Sequence, residues 1–419
     1  MKRSIVASLL FTAVIMTGCR QSSISNLGKE YGVIDPLVET RIHELVEESG
    51  VPNIALGLVV GDELVWAKGF GQETDLSTVY SVGSIDKSFT ATAVMQLVER
   101  GMLNLDDDVN QYLPFSVRHP DYPETAITVR MLLTHSSGLP HDLPGTRYLN
   151  NDGPMLRWTF TNGDYKFMDL YRSIIPLNKD SYLKEIFSKD SKYGSDFWVF
   201  KPGTKYQYSN SGYYLLLGSV IEGVTGQDFQ EYITENIIQP LGMENTSYRA
   251  SDFPKEQLAP PFENTEDQGY SPLPLTGANA TGKLRTTVVD LARFLMFHMN
   301  AGELDGVRLL EPESIDQMHY RTIPMMGFDF PGLDFTGVGY GWTLWGDGLQ
   351  GHGGATPGYY AQILYNEGES GPYGVVIMMT YGCSITECDF DWFDQYFVVI
   401  REILLDHGAN LTEQQTNSK

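Results

Sequence analysis

The chain has 419 residues, of which 42% are hydrophobic and 12% aromatic, so it can bury a large core. With 29 basic against 53 acidic residues, its formal net charge is −24, and a surface of this charge repels polyanions. Nucleic acid is therefore not an expected partner, and charge alone would not hold the chain on an anionic membrane.

The N-terminus has the features of an export signal followed by a tether. Lys2 and Arg3 precede an apolar stretch, residues 5–16, that is too short to span a bilayer comfortably. The next residues resemble a bacterial lipobox, in which small residues precede a lipid-bearing cysteine. The alternative is an ordinary signal peptide with an incidental cysteine. We expect a signal peptide over residues 1–18, a lipid on Cys19 and a tether over residues 19–30. The lipid would anchor the chain to a membrane of the bacterial cell envelope, with the remaining residues in the periplasm or outside the cell.

Local patterns predict a helix and then a hairpin. Apolar residues recur at helical spacing over residues 35–49, and Gly50 ends the helix. Residues 54–60 and 64–70 are apolar, strand-like runs separated by a Gly-Asp turn. This part of the chain therefore opens with a helix and two antiparallel strands.

The middle of the chain reads mainly as helices and long loops. A short strand over residues 78–82 leads to a helix that should begin at Ser84 and end before Gly101. Residues 141–198 lack clear periodicity, and we interpret them as shaping a substrate pocket, the alternative being surface decoration. Further helices are predicted over residues 213–224, 229–238 and 289–300.

Strands return near the C-terminus, over residues 341–345, 359–365 and 373–380, and a final helix is predicted over residues 390–406. Strands at both ends with helices between them suggest one sheet built from both chain ends, with a helical lobe inserted. The hairpin spacing favours an antiparallel sheet and an α+β fold.

Ser84 and Lys87 form an S-x-x-K motif, which alone is weak because a second copy occurs at Ser181 and Lys184. The first copy follows a strand and opens a helix, so its lysine lies one turn on, on the same face. A cation in the first helical turn opposes the helix dipole, and such violations cluster at functional sites. The alternative is a capping serine beside an exposed lysine.

Two further motifs lie far downstream. Tyr208 and Asn210 form Y-x-N before a predicted helix, where the alternative is a capping turn. His352, Gly353 and Gly354 form H-x-G, where the alternative is a glycine-rich turn. A lipase-type oxyanion loop is disfavoured, because that loop precedes its nucleophile and no G-x-S-x-G is present.

These motifs, in this order and at these wide spacings, resemble the serine β-lactamase and penicillin-binding-protein superfamily. The branch most similar is the one that contains class C β-lactamases, D,D-peptidases and esterases. Further stretches that resemble it are LLTHSSGL at residues 132–139, PGT at 202–204, LGM at 241–243, DLARF at 290–294 and GHGGATPG at 351–358.

The resemblance implies a three-layer α-β-α sandwich with an inserted helical lobe. We expect one catalytic domain over residues 31–410, with an α/β lobe at about 31–100 and 286–410, a helical lobe at about 101–285, and a polar tail over residues 411–419.

The resemblance also implies roles for single residues. Ser84 is similar to the acylated nucleophile, and Lys87 and Tyr208 to the general-base pair. Asn210, His352, Gly353 and Gly354 are expected to bind substrate, and the backbone N–H groups of Ser84 and Ala355 to form the oxyanion hole. Thr134, His135 and Ser136 are interpreted as structural.

The expected partner is a small-molecule or peptide substrate, and the sequence predicts no cofactor. His352 stands where many relatives carry lysine, which suits an esterase or D-amino-acid peptidase better than an efficient β-lactamase. The alternative hypothesis is a non-catalytic envelope lipoprotein that binds peptidoglycan or another ligand on the same fold.

Three cysteines are present, and two of them, Cys383 and Cys388, lie close together in the sequence. An exported protein allows them to form a disulfide, and two free thiols are the alternative. Neither C-x-x-C nor H-E-x-x-H occurs, so no metal site is predicted.

Overall fold

A computed structural model describes most of the chain. The residues described are 28, 30–71, 74–141, 143, 179–188, 190–191, 195–265, 269–272, 284–320, 322, 335–356, 358–381 and 390–418. Cys19, Cys383, Cys388 and most of residues 141–198 lie outside them, and the interpretations of these residues stay predictions.

One large antiparallel sheet organises the fold. Its eight strands have the order β1-β3-β2-β14-β13-β12-β11-β10. In chain order, the strands of the described residues are β1 (Glu30–Gly32), β2 (Asn53–Val60), β3 (Glu63–Gly71), β4 (Tyr80–Ser81), β5 (Phe262–Thr265), β6 (Gly269–Pro272), β7 (Arg285–Thr286), β8 (Glu303–Leu304), β9 (Val307–Arg308), β10 (Phe335–Val338), β11 (Thr343–Trp345), β12 (Gln350–Thr356), β13 (Tyr359–Asn366) and β14 (Tyr373–Met379).

The two ends of the chain meet in the middle of this sheet. β2 pairs with β14 so that Ile54 lies opposite Met379 and Val60 opposite Tyr373. The prediction of an α+β fold with one antiparallel sheet built from both chain ends is confirmed.

Helices lie on both faces of the sheet and in the inserted lobe. They are α1 (Pro36–Ser49), α2 (Asp86–Glu99), α3 (Val129–Leu133), α4 (Lys179–Ile186), α5 (Gly218–Thr225), α6 (Phe229–Ile233), α7 (Val288–Met299), α8 (Pro312–His319), α9 (Phe390–Trp392) and α10 (Val399–Asn417). Three π-helical stretches adjoin them, namely Ser211–Leu217 before α5, Thr234–Ile238 after α6, and Phe393–Val398 before α10.

Alternation along the central strands divides the core in two. On β2, Ala55 and Val59 pack into the core that contains α7 and the helical lobe. Leu56 and Leu58 pack into a second core with α1 and α10. Because successive side chains of a strand point to opposite faces, this strand is buried on both sides and has no polar side chain after Asn53. The result is the expected three-layer arrangement.

Local signals explain the first elements. The Asp35 side chain accepts a 2.8 Å hydrogen bond from the backbone N–H of Leu37, which caps α1. Gly50 ends that helix at a φ of 66°, and Gly61 turns the β2–β3 hairpin at a φ of 62°. These positive φ values favour glycine and match the predicted boundaries.

The structure differs from the prediction in several elements. Residues 350–356, predicted only as part of a strand-rich region, form the full strand β12. A 3₁₀ turn at Gly83–Ile85 precedes α2, so the α-helix begins two residues after Ser84. The last helix runs to Asn417, through most of the predicted polar tail. None of the described helices is both long and apolar enough to span a membrane.

Candidate active site

Ser84 lies in a tight turn between β4 and α2, pressed against β12. Gly83 has a φ of 53°, and a Cβ there would lie 2.7 Å from the backbone nitrogen of Ala355. A Cβ on Gly354 would lie 1.9 Å from the Val82 carbonyl oxygen and 2.6 Å from the Ser84 nitrogen. Glycine at both positions therefore permits the backbones to touch, and the Ser84 and Ala355 amides meet at this crossing.

The Ser84 side chain faces Lys87, one helical turn further on. Lys87 Nζ lies 3.0 Å from Ser84 Oγ and donates a 2.8 Å hydrogen bond to Asn210 Oδ1. Neither the Gly83–Ile85 turn nor α2 has a side-chain cap, so Ser84 does not cap its helix. Asn210 likewise makes no capping hydrogen bond to the helix that follows it. The capping alternative for Ser84 is therefore wrong. At the second motif the capping hydrogen bond is made by Ser209, whose Oγ accepts from the Gly212 N–H at 3.1 Å, and not by Asn210.

Lys87 is fully buried between two phenol rings. Its side chain has 0% exposure, and Nζ lies 4.7 Å from the centroid of the Tyr208 ring and 4.3 Å from that of Tyr214. Burial favours the neutral amine, whereas the two rings and the Asn210 oxygen favour the ammonium ion. Burial and these contacts therefore act on the lysine in opposite directions.

His135 supports the segment that carries Tyr208. Its Nδ1 accepts a 3.0 Å hydrogen bond from the Ser209 backbone N–H, and its carbonyl oxygen accepts one of 2.8 Å from the Gln207 N–H. Its ring centroid lies 4.5 Å from that of Tyr208. Burial, and then the nearby Lys87, hold the pKa of His135 well below its usual value, so it stays a neutral acceptor. This geometry fits the interpretation of His135 as structural.

His352 lies on β12 and is buried. Burial, and then the charge of Lys87, lower the pKa of His352 to about 3. Its Nδ1 lies 2.6 Å from the Gly353 carbonyl oxygen, which can only accept, so Nδ1 carries the hydrogen and Nε2 has the lone pair. His352 therefore contributes no positive charge near neutral pH.

The comparison with known proteins follows this geometry. A family model described as Beta-lactamase matches residues 38–383. The chain belongs to the beta-lactamase family.

One of the relatives of this chain in the beta-lactamase family is penicillin-binding protein 4 of Amycolatopsis lactamdurans. The two are 28% identical over 345 residues, which cover 78% of this chain and 80% of that protein. Protein flp of Staphylococcus aureus (strain MRSA252) is 27% identical over 276 residues, covering 63% of this chain and 48% of flp. The chain thus spans about half the length of flp.

Solved structures of beta-lactamase-like fold agree with the architecture. An octameric penicillin-binding protein homologue from Pyrococcus abyssi superposes with a TM-score of 0.66 at 29% identity, covering 87% of this chain and 77% of that one. A D-amino acid amidase from Ochrobactrum anthropi SV3, in complex with D-phenylalanine, gives a TM-score of 0.63 at 22% identity, covering 87% and 99%. The second likeness concerns the fold alone.

Within this beta-lactamase-family site, the structure brings together Ser84, Lys87 and Asn210, and it places Tyr208 against the lysine. The second S-x-x-K copy is different, because Ser181 and Lys184 are exposed on α4. Among the described residues, no cluster of His, Cys, Asp or Glu could hold a metal ion.

Tyr214 is the site residue that the sequence interpretation missed. It follows Asn210 in the π-helical stretch, whose i→i+5 turns do not have the 3.6-residue period used to assign faces. The doubled tyrosine at residues 213 and 214, just after Y-x-N, was the available signal.

Proposed function

We propose that this chain is a serine hydrolase that forms an acyl-enzyme on Ser84 from ester or amide substrates. The observation that carries the proposal is the 3.0 Å separation between Ser84 Oγ and a fully buried Lys87 Nζ. A buried amine next to a hydroxyl is the arrangement that activates a weak nucleophile.

In the proposed reaction, Ser84 Oγ attacks the substrate carbonyl carbon and gives its proton to the base formed by Lys87 and Tyr208. The carbonyl oxygen becomes an oxyanion, for which the Ser84 and Ala355 amides are the donors. The bond to the leaving group then breaks, and the leaving group takes up the proton. Water attacks the acyl-enzyme, releases the acid and restores the Ser84 hydroxyl.

The neutral state of His352 supports a preference for substrates that lack a carboxylate at this position. A lysine there would offer a permanent ammonium, whereas a histidine with a pKa of about 3 offers none near neutral pH. Short esters and D-amino-acid amides are therefore better candidates than penicillins, which carry a carboxylate. The likeness to a D-amino acid amidase is compatible with this choice.

A fluorescent fluorophosphonate probe tests the nucleophile. We expect labelling of the wild type, none of Ser84→Ala, and full labelling of Ser181→Ala, which removes the serine of the other S-x-x-K copy. Equal labelling of wild type and Ser84→Ala would remove Ser84 from the mechanism. Turnover of a p-nitrophenyl ester that survives in Ser84→Ala would have the same meaning.

A substrate panel tests the preference. We expect short p-nitrophenyl esters and D-amino-acid p-nitroanilides to react faster than nitrocefin, which carries a carboxylate. His352→Lys should improve the ratio of nitrocefin to ester turnover. Nitrocefin as the best substrate of the wild type would contradict the proposed preference without affecting the role of Ser84.

We also propose that the chain is held at a membrane through lipid on Cys19. The tether would lead into β1, where Tyr31, Val33 and Leu37 are exposed apolar side chains close to its end. Radioactive palmitate should label the wild type expressed in bacteria, and Cys19→Ala should be unlabelled and leave the membrane fraction. Labelling that persists in Cys19→Ala would contradict the proposal.

A further inference from the structure

Tyr214 is a buried residue next to the turn that carries Ser84. Its phenol donates a 3.2 Å hydrogen bond to the Gly83 carbonyl oxygen. This carbonyl belongs to the residue that immediately precedes Ser84, so the bond fixes the turn that carries the serine.

Two geometric contacts therefore flank the nucleophile. Lys87 Nζ lies 3.0 Å from Ser84 Oγ, and the Tyr214 phenol holds the carbonyl oxygen of the preceding residue, Gly83. The backbone of the turn is thus fixed by Tyr214 while the Ser84 hydroxyl faces the lysine. When Lys87 is neutral, its lone pair can accept the Ser84 hydrogen without movement of the oxygen.

We propose that Tyr214 is a positioning residue of the active site, whose hydroxyl fixes the Gly83–Ser84 turn and whose ring stabilises the ammonium form of Lys87. The inference rests on the proposed function and adds a second tyrosine to it, with a role distinct from that of Tyr208.

The two tyrosines differ in their surroundings. Tyr208 is half-buried at the cleft, whereas Tyr214 is buried. Burial raises the pKa of Tyr214 well above its usual value, so its phenol keeps its proton throughout the reaction. A group that stays protonated cannot serve as the base, but it can orient one.

Several ionisable groups face Lys87 and share control of its charge. The rings of Tyr208 and Tyr214 face its ammonium group. The other neighbouring groups are His135, which follows α3, His352 on β12, and Asp86 on the same helix as Lys87. Both histidines are neutral, because their pKa values are lowered. The ring of Tyr214 is closer to Nζ than that of Tyr208, so removing it should have a clear effect.

Two substitutions separate the hydroxyl from the ring. Tyr214→Phe keeps the ring over Lys87, and we expect the acylation rate constant to fall about ten- to hundred-fold, with an unchanged substrate Kd and an unchanged acid limb of the pH–rate profile. Tyr214→Leu also removes the ring, and we expect its acid limb to move to lower pH by about one unit, because the ammonium form loses its cation–π partner.

Tyr213→Phe is the matched control. It removes a hydroxyl from the neighbouring buried tyrosine, whose phenol donates to the Leu133 carbonyl oxygen at 2.6 Å. Thermal unfolding should register this loss, while the acylation rate of the folded protein stays at the wild-type value.

Acylation rates measured with the fluorophosphonate probe between pH 5 and 10 test the proposed role of Tyr214. A Tyr214→Phe rate equal to wild type, or a Tyr213→Phe rate that falls as far, would overturn the inference. An acid limb that stays in place in folded Tyr214→Leu would overturn the role of the ring. Failure of the proposed function itself looks different, since the wild type would then not be labelled at Ser84.

Discussion

The phenol of Tyr248 donates a 2.8 Å hydrogen bond to the carboxylate of Asp86, the residue that immediately precedes Lys87. Asp86 is only 2% exposed. Burial raises the pKa of Asp86 to about 7, although the Tyr248 hydrogen bond and the charge of Lys87 oppose the rise. The first residue of α2 therefore changes its charge near neutral pH, inside the fold and next to the proposed base.

This relationship predicts a pH-dependent stability. At pH values between its ordinary pKa of about 4 and its folded pKa, Asp86 binds a proton in the folded state and not in the unfolded state. Its contribution to the free energy of unfolding is therefore present at low pH and is lost as the pH rises through 7. Asp86→Asn should remove this loss of stability. The difference in free energy of unfolding between wild type and Asp86→Asn should change by up to about 4 kcal/mol between pH 4 and pH 8.

Urea unfolding at several pH values measures that difference. Asp62→Asn, which changes an exposed aspartate in the β2–β3 turn, is the matched control and should follow the wild type. Parallel stability curves for wild type and Asp86→Asn would show that folding does not raise the pKa of Asp86.

Lys87→Met should separate activity from stability. It removes the proposed base, so acylation should fall about 10²- to 10⁴-fold. It also removes a buried cation, whose desolvation is costly, so we expect the free energy of unfolding to drop by no more than about 1 kcal/mol. Probe labelling and thermal unfolding measure the two effects. Lys184→Met, at the exposed lysine of the other S-x-x-K copy, should change neither; a wild-type acylation rate in Lys87→Met would refute the role of the lysine.

Gly354→Ala should disturb the contact between β12 and the Ser84 turn. The new Cβ would lie 1.9 Å from the Val82 carbonyl oxygen, and both partners are backbone, so one segment must move. We expect a loss of about 10²- to 10³-fold in kcat, as for a displaced oxyanion donor, and about 1–3 kcal/mol in stability. Gly28→Ala, where a Cβ meets nothing within 4 Å, is the control. Full activity in folded Gly354→Ala would argue against a fixed Ala355 amide.

His352→Asn should leave the pH dependence of the reaction in place. With a pKa of about 3, His352 is neutral across the range in which hydrolysis would be measured, so it cannot produce the acid limb of the profile. We expect a lower kcat/KM with the same limb, measured with a p-nitrophenyl ester between pH 4 and 9. An acid limb that disappears in this variant would mean that His352 titrates in the working site.

Much of the fold was accessible from sequence because its signals are local. Asp35 and Gly50 mark the ends of α1 by their own hydrogen bonding and backbone freedom, and apolar runs mark β2 and β14. Strand β12 was harder, because Gly-His-Gly-Gly-Ala has no apolar alternation. Its backbone is extended because β11 and β13 lie on either side and supply hydrogen-bond partners, which is information that the segment itself does not contain.

The residues of the site also divide into those that local sequence could predict and those that it could not. Ser84 and Lys87 could be paired from spacing alone, since one helical turn separates them. The family resemblance placed Asn210 in the site as a substrate contact, and its hydrogen bond to Lys87, across 123 positions of sequence, was not predicted. Tyr214 was missed because a π-helical stretch decides which way it points.

The central β2–β14 pairing has a consequence for how the molecule is made. Asn53 and Thr380 hydrogen-bond to each other across 327 positions of sequence. β2 therefore cannot pair with β14 until most of the chain has been synthesised. Contacts this distant slow folding and leave apolar strand edges open on the nascent chain. The serine turn also needs β12, which is synthesised late. A chain that stops short of residue 356 would carry the nucleophile and its lysine but no surface against which to hold them.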